Sequence, residues 1–222
     1  MNSFNRKFNS KASGDDPPIV MSRHRYFFFK RCFDVVVCLV LLPFLLPVIG
    51  ACALAVKLES PGPAFFTQRR TGRRGKRFRM YKLRTMVSDA EELKSKLAAQ
   101  NELTWPDFKI ANDPRITSVG RFLRKTSLDE VPQLFNVLKG DMSLVGPRPT
   151  SFAAETYELW HTERLEVQPG LTGLWQISGR SDVDFDERVR LDREYIQRQS
   201  FWFDLQILIR TFAAVFAGRG AS

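Results

Sequence analysis

Two adjacent carboxylates, Asp129 and Glu130, lie among cations: Arg121, Arg124 and Lys125 precede them, and Lys139 and the turn Gly146-Pro147-Arg148-Pro149 follow. A surface ion-pair network would space its charges for mutual pairing; here cations outnumber acids and Gly and Pro punctuate the segment, so an anion from outside is needed to complete the balance. A carboxylate at such a site has two uses. It holds a divalent metal, because Mg²⁺ prefers one or two carboxylates together with phosphate oxygens, or it attacks phosphorus and carries an acyl phosphate. Either use brings anion against anion, so nearby cations must hold the phosphates and offset developing charge. Lys82, Arg84, Arg124, Lys125 and Arg148 are the candidates.

Pro132 places the pair. Proline is comfortable only in the first turn of a helix, so a helix begins within about three residues before it. Asp129 and Glu130 then sit at a helix N-terminus, where backbone donors and the macrodipole favour negative charge. A purely structural reading is open at the same point: Ser127 with Glu130 three residues on matches a capping box, and Asp129 itself suits a cap. Neighbouring helical residues diverge by about 100°, so the two carboxylates need not share a role.

The elements that position this chemistry follow from the charge pattern. The chain has 222 residues and a net charge of +10, which fits one domain with appendages and an acidic partner such as a phosphorylated small molecule, an anionic membrane or nucleic acid. The stretch from Arg69 to Arg84 carries many cations and no acid. Before it, Val35 to Val56 has no formal charge over about 22 residues, long enough at roughly 1.5 Å per residue to cross a hydrocarbon core of about 30 Å. Pro43 and Pro47 interrupt it, and basic residues flank both ends, Arg23, Arg25, Lys30 and Arg31 before and Lys57 after. Positive flanks prefer the cytoplasmic side. A helix bent at Pro47 that enters and leaves through one leaflet satisfies both observations better than a single span. A lipoprotein signal ending at Cys52 would instead export the rest, but the basic run that begins at Arg69 resists translocation. Cys32, Cys38 and Cys52 lie in or beside the apolar stretch, with no disulfide framework or metal spacing, and His24 and His161 are isolated, which leaves no histidine triad or zinc site.

The remaining chain reads as a disordered tail over 1–22, a membrane helix over 26–58, a catalytic domain over 59–200 and an amphipathic helix over 201–218. Ser60-Pro61-Gly62-Pro63 is a turn. Phe65 to Gln68 and Arg77 to Leu83 alternate like short strands. Helices are expected over Ser88–Gln100, with Ser88 as cap, and over Val131–Leu138, Phe152–Arg164, Phe185–Gln199 and Phe201–Ala217. The last is rich in aromatics and suits either core packing or the membrane interface. Asp182, Asp184 and Asp186 alternate ahead of the Phe185 helix; a charged helix entry accounts for them, although an ordinary glycosyltransferase would use such acids for metal. Trp175 suits burial or stacking on a base or sugar.

Seven runs occur in order: Phe65-Phe66-Thr67-Gln68-Arg69, Tyr81-Lys82-Leu83-Arg84-Thr85-Met86, Asn112-Asp113-Pro114-Arg115-Ile116-Thr117, Ser127-Leu128-Asp129-Glu130, Asn136-Val137-Leu138-Lys139-Gly140-Asp141-Met142-Ser143, Val145-Gly146-Pro147-Arg148-Pro149 and Pro169-Gly170-Leu171-Thr172-Gly173. Over roughly Lys30 to Phe216 the chain resembles the bacterial sugar transferase family, the monotopic polyprenyl-phosphate phosphoglycosyltransferases.

The resemblance implies a mostly helical α+β fold, with a re-entrant membrane hairpin joined to a small cytoplasmic catalytic domain that carries a short β-hairpin and amphipathic interfacial helices. It implies transfer of sugar-1-phosphate from a UDP-sugar to undecaprenyl phosphate with release of UMP, as the first membrane step in assembling a glycan such as an exopolysaccharide. Asp129 would be the nucleophile, with Mg²⁺ bound alongside, and Glu130 would assist. Arg124 and Arg148 would hold phosphate, with Lys82 and Arg84 lining the same site and Lys125 close by. The implied location is the cytoplasmic face of the bacterial inner membrane, with anionic lipid as a partner, no nucleic acid, and a homodimer left open. The chain departs from the family in having Leu46, where Ser is common, before Pro47, and in the extra Pro43. From another class, a non-enzymatic membrane-anchored basic module binding anionic lipid or nucleic acid would share the charge pattern, and loss of Asp129 would not impair it.

Overall fold

The computed structural model of the chain describes residues 23–97, 101, 110, 112–153, 159–178 and 185–216. Helix α1 runs from Arg23 to Glu59 as one helix with Pro43 and Pro47 inside it. Its buried positions, Tyr26, Lys30, Asp34, Cys38, Leu42, Ile49 and Val56, recur in steps of four and seven and form one stripe along the helix. No residue between Leu42 and Ile49, the segment holding both prolines, is fully buried. The two halves pack into different clusters: Cys38 and Leu42 join Phe78, Met80, Val137, Leu144 and Ile207, whereas Ile49 and Val56 join Ala64, Leu83 and Leu123.

The other faces of α1 expose Phe28, Val36, Leu39, Val40, Phe44, Leu46, Leu54 and Leu58. The helix is long and apolar enough to cross a membrane, and only 17% of its most apolar window is buried in the protein. A core helix of a soluble domain would bury most of that surface.

After the Ser60–Pro63 turn, β1 (Phe65–Thr71) pairs antiparallel with β2 (Arg77–Leu83). A short 3₁₀ turn over Arg73–Gly75 joins them, with Arg74 and Gly75 in the left-handed region. β1 extends three residues beyond the expected Gln68. Helix α2 (Ala90–Lys96) is shorter than expected, and Asp89 rather than Ser88 precedes it, without a side-chain cap; residues 98–100 lie outside the described residues.

Helix α3 (Ser118–Thr126) was not anticipated in the sequence. Thr117 caps it, its hydroxyl accepting from the Gly120 amide, and the Glu59 carboxylate at the end of α1 accepts from the amides of Ser118 at 2.8 Å and Val119 at 3.1 Å. An anion at a helix N-terminus complements the macrodipole. A 3₁₀ segment over Leu128–Gln133 follows and leads into α4 (Leu134–Lys139), which Gly140 ends with a φ of 83°. The last carbonyls of α4 accept from Arg31 of α1.

Strands β3 (Ser143–Val145) and β4 (Gly170–Thr172) form a two-stranded parallel pair, with Ser143 opposite Gly170 and Val145 opposite Thr172. Between them a 3₁₀ helix covers Leu159–Leu165; the rest of the helix expected from Phe152 falls largely on 154–158, outside the described residues. α5 (Leu174–Ser178), α6 (Phe185–Gln197) and α7 (Phe201–Phe216) are the last of the described elements. The α+β, mostly helical class holds, with two two-stranded sheets among the described residues in place of the single expected hairpin.

α7 is amphipathic. Ile207 and Asp204 are buried, while Trp202, Ile209 and Phe212 face outward. Asp204 ties the helix to its neighbours: its Oδ2 accepts from Tyr26 at 2.8 Å and Lys30 at 2.7 Å, both on α1, and its Oδ1 accepts from Tyr195 of α6 at 2.8 Å.

Candidate active site

The carboxylate pair lies in the first turn of the 3₁₀ segment Leu128–Gln133. Pro132 thus fixed the location of a helix start, although the first turns are 3₁₀. The capping box does not form. Ser127 takes a left-handed conformation with a φ of 58° and makes no side-chain cap, and its amide closes α3 by donating to the Arg124 carbonyl. Glu130 is thereby released from local capping and points its carboxylate elsewhere.

Glu130 is gripped by two cations from distant segments. Lys82 Nζ on β2 donates to Glu130 Oε1 at 2.7 Å, and Arg148 donates to Oε2 at 3.1 Å and with its second nitrogen to Oε1. Burial alone would raise the Glu130 pKa, but Arg148 and Lys82 outweigh it and hold the carboxyl well below the usual range. Glu130 therefore stays ionised and fixes both cations in place.

Asp129 differs. It is buried, it accepts no hydrogen bond among the described residues, and its one ion-pair contact is Lys82 Nζ at 3.8 Å. Burial raises its pKa above the ordinary value, with Lys82 opposing, Glu130 adding to the rise, and Arg124 and Arg148 opposing. An incompletely paired buried carboxylate carries a desolvation cost that a bound cation or an attack on phosphorus would use.

Arg124, at the end of α3, donates from Nε to the Thr85 hydroxyl at 3.0 Å. Burial lowers its pKa, and the charge of Asp129 opposes that. Lys125 is exposed on the same turn. Arg84 is placed differently from the expectation that it lines the site with Lys82: its guanidinium donates to the carbonyls of Pro61 and Ser60 and to the Ser60 hydroxyl. β2 ends at Leu83, so strand alternation no longer governs Arg84, and the unpaired carbonyls of the turn claim its donors. The structure thus brings together Lys82, Asp129, Glu130 and Arg148, puts Arg124 beside them, and turns Arg84 away.

Three supporting groups gave no local signal. Asn136, fully buried on α4, accepts from the Tyr81 amide at 3.0 Å and donates to the Arg79 carbonyl at 2.7 Å, standing in for a strand partner along β2 and setting the height of Lys82. Arg164 donates to the Arg148 carbonyl at 2.7 Å while pairing with Asp192 of α6 at 2.7 Å. Gly146 lies so close to β4 that a Cβ there would meet the Gln168 carbonyl at 2.4 Å, which fixes the turn bearing Arg148. None of these pairings is readable from spacing, because each partner is far away in the chain.

The remaining candidates do not join this cluster. Asp182 and Asp184 lie outside the described residues, and Asp186 contacts His161 at 3.2 Å. Trp175 packs under the Arg188 guanidinium. Among the described residues no group of three or more His, Cys, Asp or Glu converges. Asp129 is left as the one carboxylate of the pair free for a metal, because both Glu130 oxygens are occupied. One protein carboxylate with substrate phosphate oxygens is a coordination that Mg²⁺ accepts.

The family model described as bacterial sugar transferase matches residues 25–218. The undecaprenyl-phosphate galactose phosphotransferase of Salmonella typhimurium is 48% identical over 199 residues, covering 87% of this chain and 42% of the relative. The galactosyl transferase CpsE of Streptococcus agalactiae is 45% identical over 208 residues, covering 90% and 44%. This chain therefore spans less than half the length of these two relatives. The exopolysaccharide production protein ExoY of Rhizobium meliloti, 41% identical over 197 residues, is covered over 87% of its length and 86% of this chain. With the match running from the start of α1 past the end of α7 and taking in Lys82, the Asp129-Glu130 pair and Arg148, the chain belongs to the bacterial sugar transferase family.

Proposed function

We propose that the protein transfers sugar-1-phosphate from a UDP-sugar to undecaprenyl phosphate at the cytoplasmic face of the bacterial inner membrane, releasing UMP. The observation that carries this reading is the contrast within the carboxylate pair: Glu130 is saturated by Lys82 and Arg148, whereas buried Asp129 beside it has no hydrogen bond among the described residues.

Lys82, Arg124 and Arg148 bind the diphosphate and draw its sugar-bearing phosphorus toward Asp129. An Asp129 oxygen attacks that phosphorus; the bond to the UMP oxygen breaks and UMP leaves with the electron pair. The enzyme then holds an aspartyl phosphosugar. A phosphate oxygen of undecaprenyl phosphate attacks the same phosphorus, Asp129 leaves as a carboxylate, and the lipid diphosphate sugar departs. Mg²⁺, held by Asp129 and the diphosphate, would neutralise charge on the phosphate oxygens. Glu130 keeps the two cations oriented and moves no proton, since its carboxyl is held far below the neutral range.

The membrane segment serves the second substrate. In our reading α1 re-enters the leaflet it left, bending at the Pro43–Pro47 segment. The two separate clusters into which its halves pack, and the contacts of Arg31 and Glu59 near its two ends with the helices around the site, support that path. A perpendicular span would draw one end away from the domain.

The test is nucleotide release. Purified protein with undecaprenyl phosphate, Mg²⁺ and a panel of UDP-sugars including UDP-galactose and UDP-glucose should yield UMP. UDP would point to an ordinary glycosyltransferase, and silence across the panel to a binding module. With no acceptor present, the phosphosugar should be trapped on Asp129.

A further inference from the structure

The register of the β-hairpin puts Arg69 of β1 directly opposite Arg79 of β2. Both are exposed, and neither side chain makes a hydrogen bond or ion pair among the described residues. Cross-strand neighbours lie about 5 Å apart at Cβ, and like charges there are destabilising. No acidic residue lies between Phe65 and Arg84 to relieve them. Other arginines of the hairpin have structural partners: Arg77 donates to the carbonyls of Phe152 and Ser151, and Arg73 to that of Glu166. What sets Arg69 and Arg79 apart is that they face each other directly across the two strands.

The same face has a polarity order along the strands. At its base, next to the turn that follows α1, Phe65 is exposed, while Leu83 opposite it is buried in the cluster that holds Ile49 and Val56 of α1. Next come Thr67 opposite Tyr81, with Lys139 of α4 donating to the Tyr81 hydroxyl at 2.5 Å, its ammonium 4.7 Å from the ring centre. Arg69 and Arg79 follow, about 13 Å beyond Phe65 at roughly 3.3 Å per residue. Aromatic, then mixed polar, then cationic is the order met on leaving hydrocarbon through the interface to the headgroups, and the hairpin leaves the membrane helix at the apolar end.

On this geometry, and resting on the membrane-seated reading of α1, we propose that the exposed hairpin face built by Arg69, Arg79 and Lys139 is a seat for the phosphate of an anionic phospholipid headgroup. Two opposed guanidiniums present parallel donors to one phosphate, which removes their mutual repulsion and fixes the depth of the hairpin at the bilayer surface. Nucleic acid is disfavoured as occupant, because the flanking Phe65 and the α1 surface would stay exposed to water in such a complex.

The experiment compares the full chain with Arg69→Gln/Arg79→Gln and, as a charge-matched control, Arg74→Gln/Lys76→Gln at the hairpin tip. Each is reconstituted in bilayers of phosphatidylcholine with phosphatidylglycerol, extracted with its bound lipid, and the retained lipids are quantified. Wild type should retain phosphatidylglycerol in preference to phosphatidylcholine. That preference should fall about fivefold for each arginine removed and stay unchanged in the control. The proposal is overturned if the double variant keeps the preference, if the control loses as much, or if wild type shows no lipid preference but binds a single-stranded oligonucleotide through the same arginines. UMP release measured on the same bilayers separates the two readings: a protein that prefers phosphatidylglycerol but releases no UMP overturns the proposed reaction and leaves the lipid seat standing.

Discussion

Two clusters of buried charge in this protein have opposite designs. Around Asp204, every partner is satisfied: Tyr26 and Lys30 donate to one oxygen and Tyr195 to the other, joining α1, α6 and α7. Around Asp129, the cations are drawn to Glu130 and the aspartate is left with a loose contact at 3.8 Å. Both are buried anions near a lysine, so burial and charge do not distinguish them. What distinguishes them is completeness. A saturated buried carboxylate holds elements together, whereas an unsaturated one retains a cost that bound substrate can relieve.

Removing the charge at each of the two positions should break the comparison most sharply. Asp129→Asn should lower UMP release by at least ~10³-fold, as expected for removing the proposed nucleophile, with a thermal midpoint equal to or above that of wild type because an ill-paired buried charge is gone. A variant that loses stability in step with activity would make Asp129 structural. Asp204→Ala should do the reverse. It leaves Lys30 buried without its partner, which costs roughly 3–5 kcal/mol, seen as a lower midpoint in denaturation. Activity per folded molecule should change little.

Glu130→Gln probes the boundary between the clusters. The amide keeps the shape but removes the charge that orients Lys82 and Arg148, so the rate should fall on the order of 10²-fold, the scale for losing preorganised electrostatic contacts. Because neither cation is removed, the Michaelis constant for the UDP-sugar should move far less than kcat. An unchanged kcat would mean that Glu130 does not position the site.

How much of this was readable in the sequence divides along the same line. Pro132 located the pair at a helix start, and the uncharged stretch from Val35 to Val56 located α1, because both depend on local rules of backbone and hydropathy. The capping box at Ser127 was locally well formed and still absent: closing α3 put Ser127 into a left-handed conformation, and distant cations drew Glu130 away. Arg84 shares its spacing with Lys82 but meets the carbonyls of a turn more than twenty residues earlier in the chain. Strands β3 and β4 are three residues each, too short for alternation to show, and the role of Asp204 rests on partners more than 170 residues away. Local order was legible; the saturation of each charge, which separates the two clusters, is set by tertiary contacts.

A third buried carboxylate sharpens the rule through pH. Burial holds the Asp192 carboxyl at about 6, against the pull of Arg164 and Arg188, while in the unfolded chain it titrates near 3.9. The folded state thus binds this proton more tightly. Its contribution to stability is fully present below about pH 4 and is lost as pH rises through 6, in all on the order of 2–3 kcal/mol at roughly 1.4 kcal/mol per unit. On the proposed reaction the same proton should lower turnover, because neutral Asp192 no longer balances Arg164, whose guanidinium holds the Arg148 carbonyl at 2.7 Å. Between pH 7 and 5 the thermal midpoint should therefore rise while kcat falls. Asp192→Asn should flatten the stability profile and leave a low kcat that no longer depends on pH in that window. If midpoint and kcat fall together on acidification, Asp192 belongs with Asp204 as a purely structural anion, and its link to Arg148 is incidental.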